Sequence, residues 1–103
     1  ELLEAACIHP YESIHVWNTT RGTRLETYAI AGLKGSNDIC ANGAAAHLVR
    51  PGDKVILAAY TMVPEEDVQS HRPQLIFVNE ANRVVRSGPE VPGPQRRNAT
   101  KGY

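Results

Sequence analysis

The sequence predicts a mainly β fold, a small barrel of short strands with a few short helices. Two observations support this expectation. Several short runs alternate between apolar and polar residues, which is the period of a strand buried on one face. Turn-forming residues such as Gly, Pro and Asn separate these runs. With 103 residues, the chain has room for one domain with a modest core, which subunit contacts would help to stabilise.

The N-terminal third predicts a short helix followed by a β-hairpin. Apolar and acidic residues at positions 2–6 indicate a helix, which stops before Pro10. The run 12–18 alternates apolar with polar residues and therefore predicts a strand. A turn over 19–23 leads into a returning strand over 24–30, whose odd and even positions lie on opposite faces.

The rest of the chain predicts shorter elements. A loop leads to a short strand over 38–41, and the pair Asn42-Gly43 marks a turn before small residues that could start a short helix. The most apolar stretch, 54–63, predicts a buried strand. The remaining elements are a helix that begins at Pro64 and ends before Pro73, a strand over 74–79 and a last strand over 83–86.

The charge balance argues against a nucleic-acid-binding protein, and the lack of long apolar runs argues against a membrane helix. The chain has 11 basic and 11 acidic residues, so a nucleic-acid-binding protein that relies on a strong positive field is disfavoured. No apolar run approaches the roughly 20 residues of a membrane helix, and the acidic start lacks the basic leader of a signal peptide. The sequence therefore predicts one domain over 1–86 and a disordered basic tail over 87–103.

The cysteines and histidines do not predict a metal site. Two cysteines, Cys7 and Cys40, are too few for a disulfide framework or a zinc site. We interpret them as reduced, partly buried thiols of a cytosolic protein. The four histidines are scattered, and none is spaced from another as metal ligands on one helix would be.

A first candidate site lies on the predicted hairpin. Arg24 and Tyr28 are four residues apart on one strand and share a face, and Trp17 lies on the paired strand. An Arg beside a Tyr can bind a small carboxylate and offer a proton. The alternative is a half-buried strand face with an ordinary Arg–Glu surface pair.

A second candidate site is the run Asn42-Gly43-Ala44-Ala45. Backbone N–H groups at the start of a helix can hold a carboxylate or an oxyanion. The alternative is a plain turn into a helix. The run is not a P-loop, because it lacks the Gly-Lys-Ser/Thr ending.

A long stretch of the chain resembles a known family. The matching segments are 14–18, 22–30, 35–36, 42–47 and 51–56. Together they resemble the large (α) chain of the bacterial pyruvoyl-dependent aspartate 1-decarboxylases. Order and spacing are preserved from Leu2 to about Arg86, whereas the tail does not match.

The resemblance implies a six-stranded double-psi β-barrel and a homotetramer, and the reading of the cysteines as reduced thiols predicts a cytoplasmic location. The implied reaction converts L-aspartate to β-alanine and CO2 and supplies pantothenate and coenzyme A synthesis. The implied cofactor is a covalent pyruvoyl group, made from a Ser upstream of residue 1 when a proenzyme cleaves itself at a Gly–Ser bond. It would form a Schiff base with the substrate amine and accept its electrons. The implied partner is a small (β) chain from the same precursor.

The resemblance also assigns roles to residues by position. Tyr28 matches the proton donor, and Arg24 matches the residue that binds a substrate carboxylate. Thr27 matches a hydroxyl that contacts substrate and assists maturation. The other matches are the substrate-contacting backbone at Gly43, Ala44 and Ala45, the pyruvoyl-ordering Asn42, and the pocket wall at Trp17 and Ile56.

One departure from the family defines the alternative function. The pyruvoyl-forming Ser and the small chain, with the Lys and His that the family places on it, are outside these 103 residues. The alternative is a catalytically inactive barrel that acts as a binding or regulatory module. The presence of Arg24, Thr27, Tyr28 and the Asn42–Ala45 run favours the enzyme.

Overall fold

The structure, a computed structural model, describes residues 1–89. The described part is mainly β, with five strands, one short α-helix and two 3-10 helices. The elements are α1 (Leu2–Ala5), β1 (Ser13–Asn18), β2 (Arg24–Tyr28), the first 3-10 helix (Gly43–His47), β3 (Val55–Ala58), the second 3-10 helix (Glu65–Asp67), β4 (Leu75–Val78) and β5 (Val84–Gly88). The predicted mainly β fold with short helices is confirmed. Closure into a six-stranded double-psi barrel stays a prediction.

Strand β1 is the centre of a three-stranded antiparallel sheet with the order β2-β1-β3. Its alternation is the one that the sequence predicts: Ile14 and Val16 are buried, whereas Ser13 is exposed and Trp17 half-buried. The register sets Trp17 opposite Arg24 on one side and opposite Ile56 on the other. The three side chains therefore form a row across the sheet.

The hydrophobic core lies on one face of this sheet. Its buried members are Ile14, Val16 and Ala29, the last just beyond the end of β2. The partly buried residues that pack against them are Leu3, Ile8, Leu25, Val49, Val55 and Ala59. Because Leu3 comes from α1, the N-terminal helix is anchored on the same face as the core.

The hairpin between β1 and β2 turns where the sequence predicts it. Gly22 has a φ of 77°, a left-handed conformation that glycine adopts without steric cost. Its N–H donates to the carbonyl oxygen of Asn18 at 2.8 Å, which closes the turn. The turn thus sets the register that places Trp17 beside Arg24.

Strands β4 and β5 form a separate antiparallel hairpin. β5 extends to Gly88, two residues beyond the predicted domain boundary, because its last residues pair with Leu75 and Ile76. Of the predicted tail, residues 90–103 lie outside the described residues.

The predicted strand over 38–41 is wrong, since no strand occurs there. Asn37 just before it has a φ of 60°, which turns the chain out of an extended path. The carbonyl oxygen of Asn37 accepts a hydrogen bond from the Asn82 side chain at 2.9 Å, in place of a strand partner.

Two further elements are shorter than predicted. The run 54–63 forms a strand only over Val55–Ala58, where it pairs with β1. Beyond that pairing Tyr60 is 63% exposed and Met62 is 96% exposed, so this part of the run is not buried within the described chain. The helix expected from Pro64 is the second 3-10 helix, which spans three residues.

The thiols of Cys7 and Cys40 are free, as expected, but the prediction that they are partly buried is wrong because both are exposed. Cys7 lies just after α1 with a φ of 59°, and Cys40 lies in an irregular segment. Among residues 1–89, the structure contains no helix of the length and apolar character required to cross a membrane.

Candidate functional site

The candidate site lies on the face of the β1–β2 sheet opposite the core, called here the outer face. Three cross-strand pairs present their side chains on it. They are Ser13 with Tyr28, His15 with Glu26, and Trp17 with Arg24. Because side chains alternate along each strand, the period of two that buries Ile14 and Val16 also gathers these polar and aromatic groups.

Arg24 presents its guanidinium group without a carboxylate partner among the described residues. Its Cζ atom lies 5.6 Å from the centroid of the Trp17 ring, a cation–π contact that orients the group. The Glu26 carboxylate instead contacts two residues of β1: one oxygen lies 3.4 Å from His15 Nε2, and the other accepts a hydrogen bond from Ser13 Oγ at 3.4 Å. The alternative of an ordinary Arg–Glu surface pair at Arg24 is therefore not what the described residues form.

Tyr28 lies at the other end of β2 and is 54% exposed. Its ring is 6.1 Å from that of Tyr11, at an angle of 42°. An open groove beside it is lined by Tyr11, Ser13, Glu26, Thr27 and Tyr28. The phenol of Tyr28 is thus accessible to a small molecule that enters the groove.

The two remaining strand residues of the predicted site lie differently. Ile56 on β3 is directly opposite Trp17 and extends the outer face with an apolar side chain. Thr27 pairs with the buried Ile14, so its side chain belongs to the core-facing set rather than to that of Arg24 and Tyr28. The structure therefore does not bring Thr27 onto the outer face with them, although Thr27 also lines the groove.

The run Asn42–Ala45 enters the first 3-10 helix. Asn42 is extended, with a φ of −113° and a ψ of 160°, and Gly43 has a φ of 60°. Open space surrounds the position that a Cβ atom of Gly43 would occupy. Ala44 is exposed and Ala45 half-buried, so the structure supports the predicted turn into a short helix with small side chains.

The end of this helix is tied to the start of β2. Leu48, which follows it, donates its N–H to the carbonyl oxygen of Ala45 at 3.0 Å. The Leu48 carbonyl oxygen accepts hydrogen bonds from Asn18 Nδ2 at 3.1 Å and from Thr23 Oγ1 at 3.2 Å. Since Thr23 directly precedes Arg24, the two predicted parts of the site are linked through one carbonyl group.

A buried carboxylate, Asp53, lies next to this link. Its side chain is 3% exposed, and Oδ2 accepts hydrogen bonds from Arg21 Nε at 2.8 Å, Asn18 Nδ2 at 2.8 Å and the Arg50 N–H at 2.9 Å. The hydrogen bond from Arg21, followed by those from Asn18 and Arg50, lowers the pKa of Asp53 from 3.8 to about 2.

Sequence reasoning missed several residues of this region. His15 and Glu26 could have been found from the alternation itself, which sets them between Trp17 and Tyr28 on the outer face. Asn18 carries a weaker signal, a polar residue at an inward position of an alternating strand. Tyr11 precedes β1 and carries no periodic signal, and its place in the groove depends on the tertiary fold.

The described residues include no group of three or more His, Cys, Asp and Glu side chains arranged to hold a metal ion. The groups that the outer face offers are instead a guanidinium, a phenol and an indole, at Arg24, Tyr28 and Trp17. Such a set suits an anionic organic molecule that exchanges a proton.

Comparisons with known proteins agree with one another. The aspartate decarboxylase family model matches residues 1–85. An aspartate 1-decarboxylase of Rhodopirellula baltica is 69% identical over 98 residues, which are 95% of this chain and 63% of that protein. An aspartate 1-decarboxylase of Legionella pneumophila (strain Lens) is 57% identical over 97 residues, 94% of this chain and 73% of that protein. One of Myxococcus xanthus is 55% identical over 100 residues, 96% of this chain and 77% of that protein.

The chain thus spans just under two thirds of the length of the Rhodopirellula relative and about three quarters of the other two. The family match covers the sheet, the first 3-10 helix and the outer face together. By this coverage and identity, the chain belongs to the aspartate decarboxylase family.

Proposed function

We propose that this chain supplies the carboxylate-binding and proton-donating groups of an enzyme that decarboxylates L-aspartate to β-alanine and CO2. The observation that carries the proposal is the outer face, where an Arg24 guanidinium without a carboxylate partner in the described chain and an accessible Tyr28 phenol share one strand. Their Cα atoms are about 13 Å apart along β2. Both side chains are long, so both can approach a substrate that lies between them.

Arg24 binds one carboxylate of the substrate. Its planar guanidinium donates two parallel hydrogen bonds to a carboxylate, which fixes orientation as well as position. Trp17 supports the guanidinium from one side by the cation–π contact, and Ile56 continues the apolar surface beyond the indole. Glu26 would compete for Arg24, but its carboxylate instead contacts His15 and Ser13 of the neighbouring strand β1.

Tyr28 returns a proton to the carbon atom that loses CO2. Its phenol carries an O–H donor, and Tyr28 lines the open groove through which the substrate can approach. General acid catalysis of this kind contributes roughly 10²–10⁴-fold to a rate.

The residues present fit the pyruvoyl group that the family implies. When bound, that group supplies an electron-accepting carbonyl for the decarboxylation. The protein needs small residues and polar groups beside it, which the open space at Gly43 and the amide of Asn42 offer. Asn42 would therefore order the group, and Gly43, Ala44 and Ala45 would let the substrate approach the backbone.

The outer face requires a cover to work as a site. An exposed guanidinium binds a carboxylate weakly in water, and the contact strengthens when water is excluded. Large apolar side chains around the site are exposed in the described chain, among them Tyr11, Tyr28, Ile30 and Tyr60. The family implies the cover, which is a small chain from the same precursor together with further copies in a homotetramer. The free thiols of Cys7 and Cys40 favour a cytoplasmic location for this enzyme.

The test is an assay of the complete enzyme with carboxyl-labelled L-aspartate, which follows CO2 release and β-alanine formation. Replacing Arg24 with Ala should raise KM for aspartate at least about tenfold, since a charge-assisted hydrogen bond contributes roughly 1.5–3 kcal/mol. Arg83→Ala is the matched control, because Arg83 is an exposed arginine of the other hairpin. An unchanged KM in Arg24→Ala would refute the carboxylate assignment.

A second measurement separates the enzyme from an inactive binding module. The complete enzyme is incubated with L-aspartate and borohydride, and its chains are weighed by intact mass spectrometry. A mass gain on the pyruvoyl-bearing chain is the expected result. A complete enzyme that gains no mass and releases no CO2 would favour the binding or regulatory module.

A further inference from the structure

The turn of the β1–β2 hairpin and the loop before β3 meet at the buried Asp53. A single atom, Oδ2, accepts from the Arg21 and Asn18 side chains and from the Arg50 N–H. The Asp53 N–H donates back to the Arg50 carbonyl oxygen at 3.0 Å, which closes the loop on itself. One carboxylate thus holds two segments that are more than thirty residues apart in sequence.

Asn18 carries this connection to the candidate site. Its Nδ2 donates one hydrogen bond to Asp53 Oδ2 and another to the Leu48 carbonyl oxygen. Its Oδ1 accepts from the N–H groups of Thr20 and Arg21 at 3.1 and 3.0 Å. Asn18 is 3% exposed, so water competes little for these hydrogen bonds at its side chain. Asn18 therefore joins the hairpin turn to the end of the first 3-10 helix.

Thr23, the residue before Arg24, makes a second connection between the start of β2 and the end of the first 3-10 helix. Thr23 Oγ1 donates to the same Leu48 carbonyl oxygen, and Leu48 caps the helix through its bond to Ala45. The path from Ala45 to Arg24 therefore passes through Leu48 and Thr23. The carboxylate of Asp53 fixes the neighbouring Asn18, which donates to the same carbonyl.

We propose that Asp53 is a positioning residue, which fixes the Gly43–Ala45 segment relative to Arg24 and so sets the geometry in which substrate is held. The inference rests on the proposed function, because those residues are the substrate-contacting groups there. Asp53 itself faces inward, 3% exposed, and acts only through Asn18, Arg21 and Arg50.

The physical reason is the concentration of donors on one acceptor. Without the carboxylate, the buried Asn18 amide loses a partner that water does not replace, and the 40% exposed Arg21 guanidinium is released to solvent, so the turn and the loop are no longer held together. Enzymes are sensitive to such shifts, because a misplacement of about 1 Å can cost roughly 100-fold in rate.

The test compares the complete enzyme with its Asp53→Ala variant, with Asp67→Ala as the matched control. Asp67 is an exposed aspartate in the second 3-10 helix. Asp53→Ala should raise KM for aspartate and lower kcat/KM by about 10–100-fold, whereas Asp67→Ala should leave both unchanged. A loss of folded enzyme alone would lower the apparent kcat with KM unchanged, and that result would overturn the proposal.

Hydrogen exchange gives a readout that does not depend on activity. In Asp53→Ala, the amides of the first 3-10 helix and Leu48 should exchange faster, while those of β4 and β5 should not change. Equal exchange in the variant and the parent would contradict the positioning role.

Asp53→Asn keeps an oxygen acceptor and removes the charge, so it should give intermediate KM and exchange values and serves if Asp53→Ala does not fold. A KM at the parent value in Asp53→Asn, with exchange unchanged, would also overturn the proposal. If the parent enzyme releases no CO2, the proposed function fails instead, and the exchange measurement still decides whether Asp53 fixes the segment.

Discussion

The three-stranded sheet and the β4–β5 hairpin differ in how much of their surface the chain itself covers. Among the described residues, those buried as whole residues are Ile14, Val16, Asn18 and Ala29, and all lie on the sheet or next to it. The hairpin has no buried residue: β4 is half-buried throughout, and β5 exposes Val84 and Val85 by 44% and 61%.

The difference indicates which region has its apolar surface covered by this chain alone. The sheet has an apolar core face, an outer face with the candidate site, and a polar cluster, formed by Asn18, Arg21 and Asp53, whose side chains are hydrogen-bonded to one another. The strand β4 (Leu-Ile-Phe-Val) is apolar on both faces, a composition typical of strands that are covered on both sides. We therefore expect changes in the sheet to affect the chain and its chemistry, and changes in the hairpin to affect assembly.

The largest effect is expected at Tyr28. Replacing it with Phe removes the hydroxyl and keeps the ring, which is 6.1 Å from Tyr11. We expect kcat to fall by roughly 100-fold or more with an unchanged melting temperature, because Tyr28 is exposed and outside the core. Steady-state kinetics and calorimetry of the complete enzyme measure both quantities.

Tyr60→Phe is the control for this prediction. Tyr60 is also an exposed tyrosine near the sheet, and its ring contacts His15 edge-on at 5.0 Å. Its loss of a hydroxyl should change kcat little. If Tyr28→Phe behaved like Tyr60→Phe, the proton-donor role of Tyr28 would be wrong.

The next effect contrasts the core with the hairpin directly. Ile14→Ala removes a side chain that is 6% exposed and should destabilise the fold by about 2–4 kcal/mol. Val85→Ala should cost the separate chain less than about 1 kcal/mol, since that side chain is 61% exposed.

Denaturant unfolding at several protein concentrations distinguishes the two variants. The Ile14→Ala loss should be present at every concentration, whereas a Val85→Ala loss should be largest where the parent is assembled and should shrink on dilution to separate chains, because it acts through association. A Val85→Ala effect that does not depend on concentration would show that the hairpin is not an assembly surface.

Part of this architecture was predictable from the sequence, and the reason is periodicity. The alternation from Ser13 to Asn18 and the glycine turn at Gly22 are local signals, so the hairpin and the shared face of Arg24 and Tyr28 could be predicted. The absence of a strand over 38–41 could not, because it depends on a left-handed Asn37 and on a missing partner strand.

The polar cluster illustrates the same limit for the site. Asp53 follows Pro51-Gly52 and looks like an ordinary turn residue in the sequence. Its contact with Asn18 joins residues 35 positions apart, and no local pattern encodes that distance. The roles of individual site residues came from the resemblance, whereas their common face came from the alternation.

The acid dependence of stability should distinguish Asp53 from the other carboxylates. Its pKa is lowered to about 2 in the folded state from 3.8, so its ionised form stabilises the fold above about pH 4. That contribution is lost as the pH falls through 2. The melting temperatures of the parent and of Asp53→Asn should therefore converge between pH 4 and pH 2, and a constant difference over this range would contradict the assignment.

The smallest effect compares two cation–π contacts, one in each region. Arg86 lies 4.2 Å from the centroid of the Phe77 ring in the hairpin, and Arg24 lies 5.6 Å from that of Trp17 in the sheet. Arg86→Ala should lower stability by about 0.5–1 kcal/mol and leave KM unchanged, because Arg86 lies on a different sheet from the outer face. Arg24→Ala should lower stability by no more than that and raise KM. A rise in KM in both variants would mean that the hairpin reaches the site in the assembled enzyme, so the division between a catalytic sheet and an assembly hairpin would no longer hold.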